Sequence, residues 1–411
     1  MKKLPYILAF VFLVLGAGLI AFSYIPRPLI TNPSVRHFLP AWRSVQKLFD
    51  PSVLYYQFYA PQVPGYILSL TEQDLIELQL SLPRTFGELL SEKTKEVKVR
   101  GTLSDGVSRY DARVWYYGLN PVHWEAKKKS WQAEFVDESP FDGMPVVNFI
   151  VPEDRDWIAS AFNAYRAEKF GIFTPRVSFV NLQVNSQPAG FYVLVEGWSP
   201  ELFLRNGRQV KGAYVYWLMD MPSANFFDSD LGDVSLFWKE QFHILPEFDP
   251  LIGFLQIRME GRDPEMEVKN YIDIEQYARV TALMMLSSNS AEPINMRLYF
   301  NPQTELFEII PSDDISVFCP ESLSSAGDAQ FLHSFMVFKD VEDRARQIVK
   351  EYTADEKNLE EDLAYFDMLW KSTRIDVYRD TTKQHTKRQV ENSISTMRDC
   401  LAQSFHAASL R

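Results

Sequence analysis

Lys129, Glu168, Asn295 and Asp313 are side chains of the kinds that phosphoryl transfer uses. That chemistry needs positive charge on the nucleotide phosphates, a held divalent cation and a group that orients the attacking hydroxyl. Lys129 ends the run Lys127-Lys128-Lys129 and falls on an expected strand, from which its ammonium could reach phosphates. A solvated basic turn is the plainer role. Glu168 lies near the end of an expected helix, where it could pair with Lys129 or stand as an exposed helix charge. Asn295 follows a loop and Asp313 follows a hairpin, and both offer oxygen to Mg2+ or Mn2+. A turn residue at Asn295 and a helix N-cap at Asp313 or Asp314 are the alternatives; the context favours metal for Asp313. Glu196 closes an expected strand, as a structural charge or as a group beside a ligand.

These positions need elements to carry them. Thr71-Glu72-Gln73-Asp74 is a capping-box helix start, and Pro83 ends that helix. Residues 96–103 and 110–117 alternate around Ser104-Asp105-Gly106 and predict a hairpin; residues 129–135 predict a third strand. Trp157, Ile158, Ala161, Phe162, Tyr165 and Phe170 mark one face of a helix over 154–170, with Gly171 as its stop. Residues 177–184 and 190–195 read as a further hairpin, and 200–204 as a short helix. Residues 205–265 read as irregular, apart from a strand at 213–217. A helix over 273–287, a loop, a hairpin over 296–310 and a helical, charged stretch over 340–411 complete the chain.

Length and composition bound the rest. With 411 residues and 46% hydrophobic content, the chain can bury a large two-lobed domain or two ordinary ones. A net charge of −12, with no clustered Lys and Arg outside short runs, argues against a nucleic-acid partner. Cys319 and Cys400 are too few for a disulfide framework or a thiolate zinc site. They form one bond in an oxidising compartment or remain two buried thiols. Lys2 and Lys3 precede an apolar run from Leu4 to Ile25, the length a bilayer span requires. It reads as an uncleaved signal anchor with the lysines cytoplasmic, or as a long cleaved signal peptide. Either way the bulk of the chain is expected outside the cytoplasm, at the periplasmic side or cell surface. The expected division is anchor 1–25, stalk and lead-in 26–70, small lobe 71–198 and helical lobe 199–411. The histidines show no metal-ligand spacing, and no G-x-S-x-G elbow exists for an esterase. His123, beside Trp124, reads as structural.

Hairpin, lysine strand, helix, hairpin, short connection, long helix, polar loop, hairpin and acidic turn follow the element order of a protein kinase. Five stretches carry a closer resemblance. They are Lys128-Lys129-Ser130-Trp131, Gly171-Ile172-Phe173-Thr174-Pro175-Arg176, and Val184-Asn185 with Gly190-Phe191-Tyr192-Val193-Leu194-Val195-Glu196. The others are Asn295-Met296-Arg297-Leu298-Tyr299-Phe300-Asn301-Pro302 and Ile310-Pro311-Ser312-Asp313-Asp314. Over roughly residues 95–405 the chain resembles the CotH family of spore-coat, kinase-like secreted proteins. The resemblance implies an α+β, two-lobed kinase-like fold. It implies ATP with Mg2+ or Mn2+ as ligands, Lys129, Glu168 and Glu196 about the nucleotide, and Asn295 and Asp313 on the metal. Two departures stand out. The position five before Asn295, where a catalytic Asp is expected, is Ser290, which leaves Glu292 as the nearest carboxylate; Tyr117-Gly118 replaces an Arg-Gly strand end. Three readings follow: an exported protein Ser/Thr phosphotransferase, a pseudokinase scaffold or nucleotide sensor, and an adhesion or envelope-assembly module. An exported protein substrate or envelope partner is implied in each.

Overall fold

The computed structural model describes residues 55–409 except 84, 86, 91–96, 137–139, 219–233, 235–237, 242–246, 260–266, 288–295 and 312–338. The expected anchor, residues 4–25, lies outside the described residues. Among those described, no helix is long and apolar enough to cross a membrane.

The first half of the described chain closes a barrel. Its strands are β1 (Gly65–Ser69), β2 (Val99–Ser104), β3 (Arg109–Tyr116), β4 (Trp131–Phe135), β5 (Val146–Ile150), β6 (Val177–Val184) and β7 (Gln187–Glu196). Their order is β1-β2-β3-β4-β5-β7-β6. Neighbours are antiparallel except at the closing seam, where β1 runs parallel to β6 with Gly65 opposite Asn181. The β2–β3 turn forms because Asp105 Oδ1 accepts the Val107 and Ser108 N–H groups, at 2.8 and 2.6 Å, and Gly106 takes φ +90°. Inward residues alternate along the strands. Leu103, Val114, Ala133, Val147 and Leu194 fill the interior, and Trp124 and Trp131 join the same cluster. Helix α1 (Glu72–Ser81) follows β1 and starts at Thr71, whose Oγ1 accepts the Asp74 N–H at 3.1 Å.

A second sheet, ordered β11-β10-β8-β9, takes β8 (Tyr214–Leu218), β9 (Trp238–Glu240), β10 (Arg297–Asn301) and β11 (Leu306–Ile310). It shares a core with α4 (Asp249–Met259), α5 (Ile274–Ser287) and α6 (Lys339–Thr353), built on Phe254, Tyr277, Leu283, Phe307 and Ala345. Helix α2 (Ala159–Lys169) packs with α7 (Glu356–Arg379) and α8 (Lys387–Ser409) through Phe162, Phe366, Leu369 and Leu401. The short α3 (Pro200–Arg205) follows β7.

The chain is therefore mixed α+β, and several details depart from expectation. A two-lobed, kinase-like arrangement was expected; the structure shows a closed seven-stranded barrel. The closing strand β1 falls within the stretch read as lead-in, and β5 had no assignment. Helix α2 starts at Ala159, later than 154, because Asp156 and Trp157 take positive φ (44° and 67°) after a 3-10 turn at Pro152–Arg155. Residues 205–265, read as irregular, supply β9 and α4 besides β8. Cys400 is buried and disulfide-bonded; Cys319, the other cysteine of the sequence, lies outside the described residues.

Candidate active site

The loop before β4 is pinned at both ends. Ser130 N–H donates to His123 O at 2.8 Å, and Tyr117 N–H donates to Ser130 O at 3.0 Å. Lys129 therefore precedes the strand rather than sitting on it. Adjacent lysines then part. Lys128 turns inward and is buried; its Nζ donates to Asp380 Oδ2 at 2.5 Å and to Phe191 O, and lies 4.7 Å from the centre of the Tyr192 ring. Asp380 also accepts from Phe191 N, Thr382 N, Thr382 Oγ1 and Lys383 N. Burial pushes the Asp380 carboxyl up, yet Lys128, Thr382 and Lys383 outweigh it and hold the group below the usual carboxylate range. Gly190 makes the fit possible. It has φ +98°, and a Cβ there would stand 2.2 Å from Asp380 Oδ1.

Among the described residues Lys129 meets no carboxylate. Its Nζ donates to Trp124 O and, at 2.8 Å, to Ala126 O, and Tyr192 Oη–H donates to Lys129 O at 2.8 Å. Burial pulls its amine down to about 8, against a smaller opposing effect of the Glu125 charge. Glu168 is not brought to it. That side chain is exposed on α2 and makes no ion pair among the described residues. The buried charge on α2 is Arg166 instead. Its Nε donates to Asp362 Oδ2 at 2.8 Å, while Asp362 Oδ1 accepts from Lys169 Nζ at 3.2 Å and Tyr352 Oη at 2.9 Å. This ties α2 to α6 and α7.

Glu196 sits where the chain leaves the barrel. Its carboxylate is buried and accepts from two arginines. Arg205 donates to both oxygens, and Arg176 adds Nε at 3.4 Å and its backbone N–H at 3.2 Å. The group fixes the crossover, with two arginines already on its carboxylate. Beside it, the Arg297 guanidinium lies 4.9 Å from the Trp198 ring and 5.1 Å from the Trp217 ring.

Ser290, Glu292, Asn295 and Asp313 lie outside the described residues. Their described flanks are informative. Arg297 pairs with Ile310 across β10 and β11, so the chain enters the one strand and leaves the other at the same end of the sheet. Ser287, the last residue of α5, is buried with its Oγ 3.5 Å from Asn163 Oδ1 on α2. Among the described residues no group of three or more His, Cys, Asp or Glu side chains could hold a metal ion.

His123 has Nδ1 3.0 Å from Ser130 Oγ and Nε2 3.4 Å from Asp154 Oδ2. The trio resembles a hydrolase triad, but Ser130 is fully enclosed and its Oγ also accepts the Val151 N–H at 3.0 Å. An acyl substrate has no access, and the structural role expected for His123 stands.

Sequence reasoning missed Lys128, Asp380, Arg166 and Arg205. Lys128 meets Asp380 across 252 residues and Arg166 meets Asp362 across 196, so local pattern offers no signal for them; Arg205 lies only nine residues from Glu196, and the pair was overlooked within reach of the sequence. No curated protein matches the chain. A family model described as CotH kinase protein matches residues 122–398, about two thirds of the sequence, from the loop before Lys129 into α8. The chain belongs to the CotH kinase protein family.

Proposed function

We propose that this chain is an exported, membrane-anchored phosphotransferase of the CotH kinase type, acting on protein Ser or Thr hydroxyls with reduced catalytic power. In this reading residues 71–198 form the nucleotide-facing small lobe and 199–411 the helical lobe of a two-lobed, kinase-like plan. ATP lies between them, and Mg2+ or Mn2+, held by Asn295 and Asp313, neutralises phosphate charge when bound.

The observation that carries the reading is Lys129. With its amine drawn down only to about 8, it remains mostly cationic at neutral pH. An ammonium has three donors, and two carbonyls take two of them. Among the described residues the remaining donor has no acceptor, which leaves it to a phosphate oxygen. Burial without a carboxylate partner among the described residues is the setting of a cation kept for an anionic ligand. In the transfer step the acceptor hydroxyl oxygen forms the bond to the γ-phosphorus, the bond to the ADP oxygen breaks, and the hydroxyl proton passes to Glu292. Loss of the expected Asp at Ser290 slows this step but leaves positioning and electrostatics in place. The disulfide at Cys400 agrees with an oxidising, extracytoplasmic location.

A second reading is a catalytically dead pseudokinase serving as an envelope binding, adhesion or assembly module. Ser290 and Glu168, exposed and without an ion pair among the described residues, favour it, since an active kinase couples its strand lysine to a helix glutamate. Full-length protein incubated with labelled ATP and Mn2+ separates the two. The proposal expects metal-dependent label on protein hydroxyls, reduced about a hundredfold or more in Asp313→Ala. Label that is indifferent to Asp313→Ala overturns it, and nucleotide binding without transfer supports the second reading.

A further inference from the structure

Asn148, on the outer face of the barrel, is a polar group that its neighbours leave unmet. Val147 and Phe149 point into the barrel and are fully buried, so Asn148 and Ile150, which alternate with them, point out. Register places Asn148 opposite Gln132 of β4 on one side and opposite Val195 of β7 on the other. Asn148 is 4% exposed, and among the described residues its Oδ1 has no hydrogen-bond partner. The ground on its β7 side is aliphatic: Ile150, Val193 and Val195 form one small buried cluster. On its β4 side the face opens, since Gln132 and Val146 are only half-buried. Glu134, the next outward residue of β4, is already engaged by Arg113 at 2.7 Å and Lys98 at 3.5 Å. An amide oxygen enclosed without a donor costs the fold free energy that an aliphatic side chain of the same size would not. A ligand that brings the donor accounts for it.

The position of Asn148 narrows what that ligand is. Val147 pairs with Glu196, the last residue of β7, and Gly197 N–H donates to Val146 O at 2.8 Å. Gly197 has no Cβ, which would otherwise stand 2.4 Å from Val146 Cγ1, so the crossover backbone comes close against that side chain. Asn148 therefore lies beside the place where the chain passes from the barrel to α3 and the second sheet. A molecule seated there meets aliphatic surface beneath it and one amide at its edge. That combination suits a planar heterocycle with an exocyclic amine, whose ring covers the aliphatic surface while an amine N–H donates to the amide oxygen. Adenine is such a ring, and asparagine amides pair with its 6-amino edge.

We propose that Asn148 reads the base of the nucleotide: its Oδ1 accepts from the 6-amino group of adenine, and the ring lies on Val146 with the Ile150, Val193 and Val195 cluster behind it. The inference rests on the phosphotransferase reading and adds to it a specificity-determining residue on β5, apart from the groups assigned to phosphate and metal.

Equilibrium titration of full-length protein in detergent with Mn2+ and either ATP or purine riboside 5′-triphosphate, which lacks the 6-amino group, tests it. The proposal expects ATP to bind about tenfold or more tighter than the analogue, because the analogue leaves the enclosed amide unmet. It expects Asn148→Leu to weaken ATP by about the same factor and to leave the analogue within about twofold of its wild-type affinity. It also expects the variant to melt at the wild-type temperature or above, since leucine removes the unmet amide; a purely structural asparagine would lower it. The comparison of the two triphosphates on the wild type needs no variant. Wild type that binds both equally overturns the base assignment, keeps the nucleotide reading and leaves the amide to a bound water. Folded Asn148→Leu protein that prefers ATP as strongly as the wild type overturns the assignment likewise. Wild type that binds neither triphosphate overturns the phosphotransferase reading and this inference together.

Discussion

The two sides of the Lys127–Ser130 loop handle the same charge in opposite ways. On the inner side Lys128 is enclosed with Asp380, whose remaining lone pairs are met by backbone and hydroxyl donors. On the outer side Lys129 donates to carbonyl oxygens and, among the described residues, to no carboxylate, and burial destabilises its ammonium. A buried ion pair joins distant parts of a fold, here the barrel and the end of α7. A half-buried cation without a counter-ion is a cost to the fold, and it persists where a ligand supplies the missing negative charge.

This contrast can be broken at its strong side first. Lys128→Met leaves the Asp380 carboxylate buried without its cation and is expected to destabilise the protein by about 3–5 kcal/mol in denaturant melts. Lys128→Met/Asp380→Leu should recover most of that loss, because the penalty belongs to the orphaned charge; no recovery would mean that the side chains' packing, not their pairing, matters. Gly190→Ala drives a Cβ into Asp380 at a positive φ and should cost about 3 kcal/mol by the same measurement.

Acid should loosen the inner side as well. The folded Asp380 carboxyl is held below its unfolded value, so the unfolded chain binds more protons as pH falls. Its stabilisation is present in full above the ordinary carboxylate range and is lost as pH drops through the folded value. Melts between neutral pH and pH of about 3 should show a steeper loss for the wild type than for Lys128→Met/Asp380→Leu. The smallest stability change belongs to Lys129→Met. The folded amine near 8 lies below its unfolded 10.5, so wild-type stability rises as pH climbs between those values. After allowance for solvent screening, the variant should match or exceed the wild type by up to about 1 kcal/mol at pH of about 7. Parallel pH profiles for wild type and Lys129→Met would contradict the described environment of the amine.

How far the sequence was legible depends on whether local pattern or distant contact decides the residue. Thr71 and Asp74 announce the start of α1, and Asp105-Gly106 announces the β2–β3 turn, because both devices close within a few residues. Trp131, Ala133 and Phe135 alternate inward along β4. Continuing that period backwards points Lys129 inward and Lys128 outward, which is the reverse of what the loop does. The strand starts at Trp131, and period-two reasoning ends with it. Lys128 finds Asp380 across 252 residues, a pairing that no window of sequence contains. β1 was obscured by its place directly after a proline-punctuated stretch, and β5 by an apolar run, Pro145 to Val151, without alternation. Arg166 sits on a helix whose apolar face was clear, yet its guanidinium is buried by Asp362 from α7, again a partner supplied only by the fold.

The claim that the outer lysine is kept for a nucleotide is tested most directly by equilibrium titration of full-length protein with ATP in the presence and absence of Mn2+. Saturable binding that requires the metal and weakens about tenfold or more in Lys129→Met, with stability intact, is the predicted result. Wild-type protein that binds no nucleotide, or Lys129→Met protein that binds it as tightly as the wild type, would contradict it.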